Sequence, residues 1–200
     1  MAEVWNLDQL EKIGGHTTTK IGEPIVGTTE KGKAVFFDGI DDGLIVESNP
    51  LFGVPAFTIE IIFKPEFMDN PNNSEQRFVH IQNRKNENSR ILIELRVTKD
   101  NQWFLDTFSK SDDAALTLYA EKYPHALGQW YHAALVYENG TLKHFVNGVE
   151  EMAGQVNYVP IEEGHTSLGM RMNHISWFKG AIKIVRMTQN ALKPSEFLSL

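Results

Sequence analysis

Two short stretches of this chain put acids and bases at spacings that chemistry can use. In Arg90-Ile91-Leu92-Ile93-Glu94-Leu95-Arg96-Val97, Ile91, Ile93, Leu95 and Val97 take alternate positions with Arg90, Leu92, Glu94 and Arg96. Side chains of an extended segment alternate between faces, so the apolar set defines one side and Glu94 and Arg96 project from the other. Phe57-Thr58-Ile59-Glu60-Ile61-Ile62-Phe63 separates Glu60 from Phe57, Ile59, Ile61 and Phe63 by the same parity, and Val79 and Ile81 turn Phe78, His80 and Gln82 outward. A carboxyl group beside an imidazole that titrates near neutrality is the elementary pair of general acid–base chemistry. Glu60 or Glu94 would be the acid, and His80 or His132 the base. The same carboxylates beside the Arg96 fork would equally recognise a polar ligand. They would also serve as cross-strand ion pairs on a solvated face, worth about 0.2–1 kcal/mol each. Asp38, Asp41 and Asp42 gather at a turn and offer the hard oxygen ligands that calcium takes, although Asx turns use such residues with no ion.

Composition removes several other chemistries. The 200 residues contain no cysteine, which excludes a disulfide framework, a thiolate metal site and a thiol nucleophile. The seven histidines show no metal-binding spacing such as His-Glu-x-x-His. There is no Gly-x-Ser-x-Gly elbow and no phosphate-cradling glycine loop. With 19 basic against 26 acidic residues and a formal charge of −7, nucleic acid is not an expected partner. No apolar run reaches the roughly 20 residues of a membrane-spanning helix. Met1-Ala2-Glu3-Val4-Trp5 has neither the basic nor the apolar region of a leader. Asn72-Asn73-Ser74 and Asn139-Gly140-Thr141 match the glycosylation acceptor pattern, but a hairpin turn accounts for the second. His144 shares a strand face with Leu142 and Val146 and is expected to be a hydrogen-bonded core histidine.

The elements that must position these residues read in strand period, with turn residues every ten or so positions. Beyond the two stretches above, strands are expected at 34–37, 43–46, 78–81, 103–108 and 181–187. Ala133 to Gly148 reads as a hairpin, since Asn139-Gly140 supplies the positive φ of a primed turn, and Asn147-Gly148 ends the return strand. Asp8–Ile13 is expected to form a helical turn, and Pro194-Ser195-Glu196-Phe197 another. Asp69-Asn70-Pro71-Asn72-Asn73-Ser74 is a polar loop. Many strands without βαβ alternation predict an all-β antiparallel sandwich. It would form one domain over 1–200, with 34–198 as its core and 1–33 an N-terminal strand and connecting loops.

Several segments together resemble the LamG-like jelly-roll family of the concanavalin A-like lectin/glucanase superfamily. They are Ala34–Asp42, Phe57–Pro65, Gly128–Tyr137, Gly140–Val149, Thr166–Gly169, Phe178–Arg186 and Ala191–Phe197, in the family's order, with Val4–Asp8 resembling its first strand. The resemblance implies one flat and one concave sheet, and a groove where saccharides meet carboxylates, guanidinium forks and an aromatic platform. On that basis Glu60, His80, Glu94, Arg96, Trp103 and His132 are the expected ligand-binding set, with the Trp103 ring as platform. The superfamily's glucanases carry Glu-x-Asp-x-x-Glu on one strand, which is absent here, so that chemistry does not carry over. A non-catalytic domain binding carbohydrate or another extracellular polymer is expected. A glycoside hydrolase or polysaccharide lyase working in the groove, and a laminin G-type protein-interaction module, stand as alternatives. Some relatives hold calcium at the sandwich rim, which makes Asp38 and Asp42 candidate ligands. Lys183 stands where the family usually has an acid and would repel the ion or pair with Asp38 in its place. Trp5, Trp130 and Trp177 are expected in the core, with Trp177-Phe178 alternatively at a rim. Relatives that act on extracellular polymers make this an expected exported bacterial domain.

Overall fold

The computed structural model describes residues 1–68 and 73–200; most of the Asp69–Ser74 loop, and the Asn72 acceptor, lie outside the described residues. Strands are numbered along the chain. An eight-stranded sheet runs β15 (Val149–Gln155), β14 (Thr141–Val146), β13 (Tyr131–Glu138), β7 (Phe57–Pro65), β17 (Lys179–Thr188), β5 (Gly32–Asp38) and β4 (Ile25–Thr29). β1 (Ala2–Asn6) joins β17 beyond the point where β5 leaves it. A nine-stranded sheet runs β11 (Ala114–Tyr119), β10 (Gln102–Ser111), β9 (Ser89–Val97), β8 (Glu75–Asn83), β16 (Gly164–Leu168), β6 (Gly43–Val46), β3 (His16–Ile21) and β2 (Lys12–Ile13), with β12 (His125–Ala126) beside β10. The pairings are antiparallel, and the fold is a two-sheet jelly-roll sandwich.

The alternation read from the sequence builds the core. Phe57, Ile59, Ile61 and Phe63 of β7 meet Ile91, Ile93 and Leu95 of β9 in one cluster between the sheets. Phe63 is its aromatic centre, stacked on Phe78 at 4.6 Å and edge-on to Trp103 at 5.3 Å. Trp103 is fully buried in this cluster and is not a surface platform. Its register opposite Val97 puts it on the same side as Leu105, so parity sends it inward. A β-bulge between Arg77 and Val79 leaves Phe78 as the extra residue of β8. Phe78 therefore turns into the core with Val79, against the outward placement expected from alternation alone. His144 is buried with its Nδ1 2.9 Å from Thr107 Oγ1, and burial pushes its pKa down to about 3.

The hairpin turns follow the sequence. Asn139-Gly140 (φ 50° and 81°) joins β13 to β14, and Asn147-Gly148 (φ 49° and 79°) joins β14 to β15. Residues 1–33 hold more than the single expected strand: β1 to β4 all lie there. In place of the helical turn expected at Asp8–Ile13, β2 pairs back on β3 across Gly14-Gly15, both in left-handed backbone. That diglycine is a two-residue hairpin connection, and the polar sequence before it hid the strand. Pro194–Glu196 forms the expected turn, a short 3₁₀ helix.

Candidate functional site

The two outer faces of the sandwich carry the same residue types under different circumstances. On the eight-stranded sheet, Glu60 of β7 lies beside His132 of β13 and opposite Arg186 of β17. Its Oε1 accepts from His132 Nε2 at 3.0 Å and from the Leu198 N–H at 2.7 Å, and its Oε2 accepts from Arg186 Nε. The segment after β17 covers this face. Thr58 Oγ1 donates to the Asn190 carbonyl at 2.9 Å and accepts the Leu192 N–H at 2.8 Å. Ala134, Val136 and Phe145 pack against Ala191 and Phe197, with the Phe197 ring 5.4 Å from that of His132. Burial pushes the Glu60 carboxyl up, but hydrogen bonds from His132, Arg186 and Leu198 outweigh it and leave its pKa below the ordinary carboxylate range. Glu60 and His132 are thus a satisfied structural pair under the C-terminal segment. They lie on the opposite sheet from Glu94 and Arg96, and the expected six-residue set does not form one groove.

On the nine-stranded sheet the outer face is open. Alternation along β8, β9 and β10 sets Arg77 opposite Glu94, Glu94 opposite Asp106, and Arg96 opposite Phe104. Arg96 Nε donates to Asp106 Oδ2 at 2.7 Å, and Glu75 at the rim pairs with both Arg96 and Arg77. Arg77 Nε comes within 2.7 Å of Glu94 Oε2, yet the approach is out of line and neither atom is hydrogen-bonded. Asp106 Oδ1, Arg90 Nε and His80 Nε2 are likewise buried without a partner among the described residues. Burial and the neighbouring Asp106 and Glu75 charges push Glu94 up to about 7 against the pull of Arg77. Burial also raises Asp106, despite its bond to Arg96. His80 is fully buried, its Nδ1 accepting the Met172 N–H at 3.0 Å. Burial and the surrounding Arg171, Arg90 and Arg77 hold its pKa well below the ordinary value, so it is neutral and presents Nε2–H.

Arg77, Arg90, Glu94, Asp106, Phe108 and Arg171 line a cleft of about 240 Å³, and the buried His80 does not line it. Arg171 comes from the loop between β16 and β17, which is tied down where the Arg77 N–H donates to the Ser176 carbonyl at 2.9 Å and the Arg171 N–H to the Ile175 carbonyl at 3.0 Å. His174 and Ser176 in that loop hold left-handed backbone at φ 59° and 57°. For residues with a side chain this conformation persists only where the surroundings hold it. Arg96 also lines an adjoining cleft that includes Phe104 and Tyr119. Tyr119 is 45% exposed, edge-on to Phe104 at 4.7 Å and 5.6 Å from the Arg96 guanidinium. It is the accessible ring that Trp103 is not. Of the expected set, the open face therefore gathers Glu94 and Arg96 on its floor, with His80 buried beside them. Arg77, Arg171 and Tyr119 were missing from that set. Arg77 sits at the bulge that shifts parity, Arg171 lies in an irregular loop where alternation has no meaning, and Tyr119 enters only through the register of β11 on β10.

At the sandwich rim, Asp38, Asp41 and Asp42 carry carboxylate oxygens within 4.8 Å of one another. Asp42 accepts the N–H groups of Glu23 at 2.7 Å and Asp38 at 2.9 Å, and Asp38 Oδ1 accepts that of Ile40 at 2.8 Å. Those bonds already occupy much of the ligand capacity of Asp38 and Asp42. Lys183 is the extra residue at a bulge in β17, and Asp38 faces Lys179 in the register instead. No Lys183–Asp38 ion pair forms among the described residues. Trp5 is in the core, whereas Trp130 and Trp177 are only partly buried. Trp130 Nε1 donates to Glu30 Oε1 at 2.6 Å, and Trp177 lines a cleft beside Glu75 and Ser176.

A two-sheet antiparallel jelly roll with one sealed and one open polar face defines the class as a β-sandwich with a surface groove. The family model described as the concanavalin A-like lectin/glucanases superfamily, Laminin_G_3, matches residues 38–197, and the chain belongs to this family. No curated protein matches the sequence. Among solved structures the chain is similar to domain 4 of AbnA, a GH43 extracellular arabinanase from Geobacillus stearothermophilus, in complex with arabinotriose. That match has 22% identity and a TM-score of 0.72, covering 97% of this chain and 94% of that one. It is also similar to the binding domain of Paraclostridial Mosquitocidal Protein 1, at 14% identity and TM-score 0.72, covering 98% of this chain and 50% of the other. A third is botulinum neurotoxin type C, which depends on interaction with two ganglioside molecules to enter cells, at 12% identity and TM-score 0.67, covering 98% and 49%. At these identities the likeness is one of fold.

Proposed function

We propose that this domain binds carbohydrate, without transforming it, in the groove on the outer face of the nine-stranded sheet. The carrying observation is the difference in completion between the two faces. Buried polar groups are normally hydrogen-bonded, and on this face Asp106, Arg90 and His80 each keep a buried atom without a partner among the described residues. Arg77 Nε and Glu94 Oε2 meet at 2.7 Å as an ion pair without a hydrogen bond. A saccharide presents hydroxyl groups that both donate and accept, so it would satisfy carboxylate and guanidinium atoms alike, while Tyr119 would give its ring a face. At about 240 Å³ the cleft is smaller than the roughly 300–1,000 Å³ of pockets that engulf a drug-sized ligand. It suits a sugar unit of a longer chain lying along the sheet. The arabinotriose complex and the ganglioside dependence of similar folds support this reading, and the arabinanase is an extracellular enzyme, which supports an exported location. A glycan array with reducing-end assays on every hit tests it. Binding with no new reducing ends is expected, and Tyr119→Ala should weaken it.

One observation favours hydrolysis as the second reading. Glu94, raised to about 7, faces Asp106 across the β9–β10 ladder, so a proton donor and a second carboxyl group share the cleft floor. Turnover of any array hit that Glu94→Gln lowers more than about 100-fold would establish that reading in place of pure binding.

A further inference from the structure

Resting on the groove reading above, we infer that the ligand is an acidic saccharide, whose carboxylate or sulfate is held between Arg90 and Arg171. The chain as a whole is acidic, with a formal charge of −7, yet this cleft concentrates cations. Arg77, Arg90, Arg96 and Arg171 line it against only Glu94 and Asp106. The carboxylates do not share themselves evenly. Arg96 takes Asp106 and Glu75, and Arg77 takes Glu75 and the misaligned Glu94. Arg90 and Arg171 have no ion-pair partner among the described residues. Arg90 donates one Nη1 bond to the Glu87 carbonyl at 2.6 Å and lies 5.1 Å from the Phe108 ring, while its Nε is buried and unmatched.

Like charges brought together on a partly dry surface repel one another, and the arrangement persists at a cost that a bound anion removes. Among the nitrogens that line the cleft, Arg90 Nε is a buried donor without a partner among the described residues, whereas Arg77 Nε is taken by Glu94 Oε2 at 2.7 Å. Asp106 Oδ1 is an unmatched oxygen on the same floor, its carboxyl otherwise held by Arg96. Guanidinium forks meet the oxygens of carboxylate and sulfate groups in pairs, which gives geometry as well as charge. A neutral sugar would supply a hydroxyl acceptor to Arg90 but would leave the charges of Arg90 and Arg171, which line the same cleft, uncompensated.

The test is an array of oligogalacturonates, their methyl esters, sulfated glycosaminoglycan oligosaccharides and neutral oligosaccharides including arabinotriose. Hits are then titrated by calorimetry at low and high salt. Free oligogalacturonate or sulfated oligosaccharide should bind at least 10-fold more tightly than its neutral counterpart and weaken several-fold from 50 to 500 mM salt; the two acidic arms decide between carboxylate and sulfate. Arg90→Gln and Arg171→Gln should each weaken the acidic ligand about 10- to 100-fold with melting temperatures near that of the parent, since neither residue holds an ion pair. Neutral glycans alone on the array, or acidic binding indifferent to both substitutions, would overturn the acidic assignment and leave carbohydrate binding standing. A blank array would reject both.

Discussion

Glu60 and Glu94 occupy equivalent places on opposite faces of the sandwich, each buried on a central strand beside an arginine of the neighbouring strand, yet burial has opposite net outcomes for them. Glu60 receives His132, Arg186 and the Leu198 N–H, and its carboxyl is held low. Glu94 has a misaligned Arg77 and two nearby carboxylates, and its carboxyl rises to about 7. The lesson is that a buried charge becomes structural when the chain supplies all its partners, and becomes available to a ligand when the chain leaves some out. The C-terminal segment makes the difference. It covers one face with Leu192, Phe197 and Leu198, and nothing among the described residues covers the other in the same way.

The largest expected effect sits between the faces. Trp103→Ala should cost about 3–5 kcal/mol, seen as a large drop in the thermal midpoint. Retained stability with lost glycan binding would instead return Trp103 to the surface. Next, Glu60→Ala should remove about 3 kcal/mol by stranding Arg186 and His132, which differential scanning calorimetry would read as a fall of roughly 6–12 °C. An unchanged melting temperature would break the contrast between the faces.

Glu94→Gln sharpens the contrast through pH. Because the folded-state pKa of Glu94 is raised from 4.5 to about 7, the native protein binds a proton that the unfolded chain has released across that window. Wild-type stability should therefore fall as pH climbs from about 4.5 to 7, by about 2–3 kcal/mol, and level off above. The Gln variant keeps the neutral form and should gain on the wild type by that margin at pH 8 relative to pH 4.5 in paired melts. A pH-independent difference would mean that Glu94 is ionised throughout. Smaller still, Tyr119→Ala should weaken glycan binding about 10-fold while stability stays within about 0.5 kcal/mol, as for an exposed position. Last, calcium should leave the melting temperature unmoved, because backbone N–H groups already hold Asp38 and Asp42; a calcium-dependent rise would make the rim a metal site.

The strands of the central ladders were legible in the sequence because burial on one face imposes a period of two, and the Asn-Gly turns were legible because few residue types tolerate positive φ. That same parity placed Glu94 and Arg96 on an outer face. It could not show that Phe78 would follow Val79 inward, because a bulge breaks the period without a sequence mark. For Trp103 the parity did point inward, through Leu105 two positions along, and treating the indole as a ligand platform overlooked it.

By itself the sequence determined which side chains share a face, since that follows from local backbone geometry within each strand. Only the tertiary structure decided which faces meet. It placed Glu60 and Glu94 on different sheets, brought the tail over one and the Arg171 loop to the edge of the other, and so separated a satisfied ion pair from an unsatisfied one. Partners more than a hundred residues apart along the chain, such as Glu60 and Leu198, come together only through sheet order and crossover connections, which no local pattern encodes.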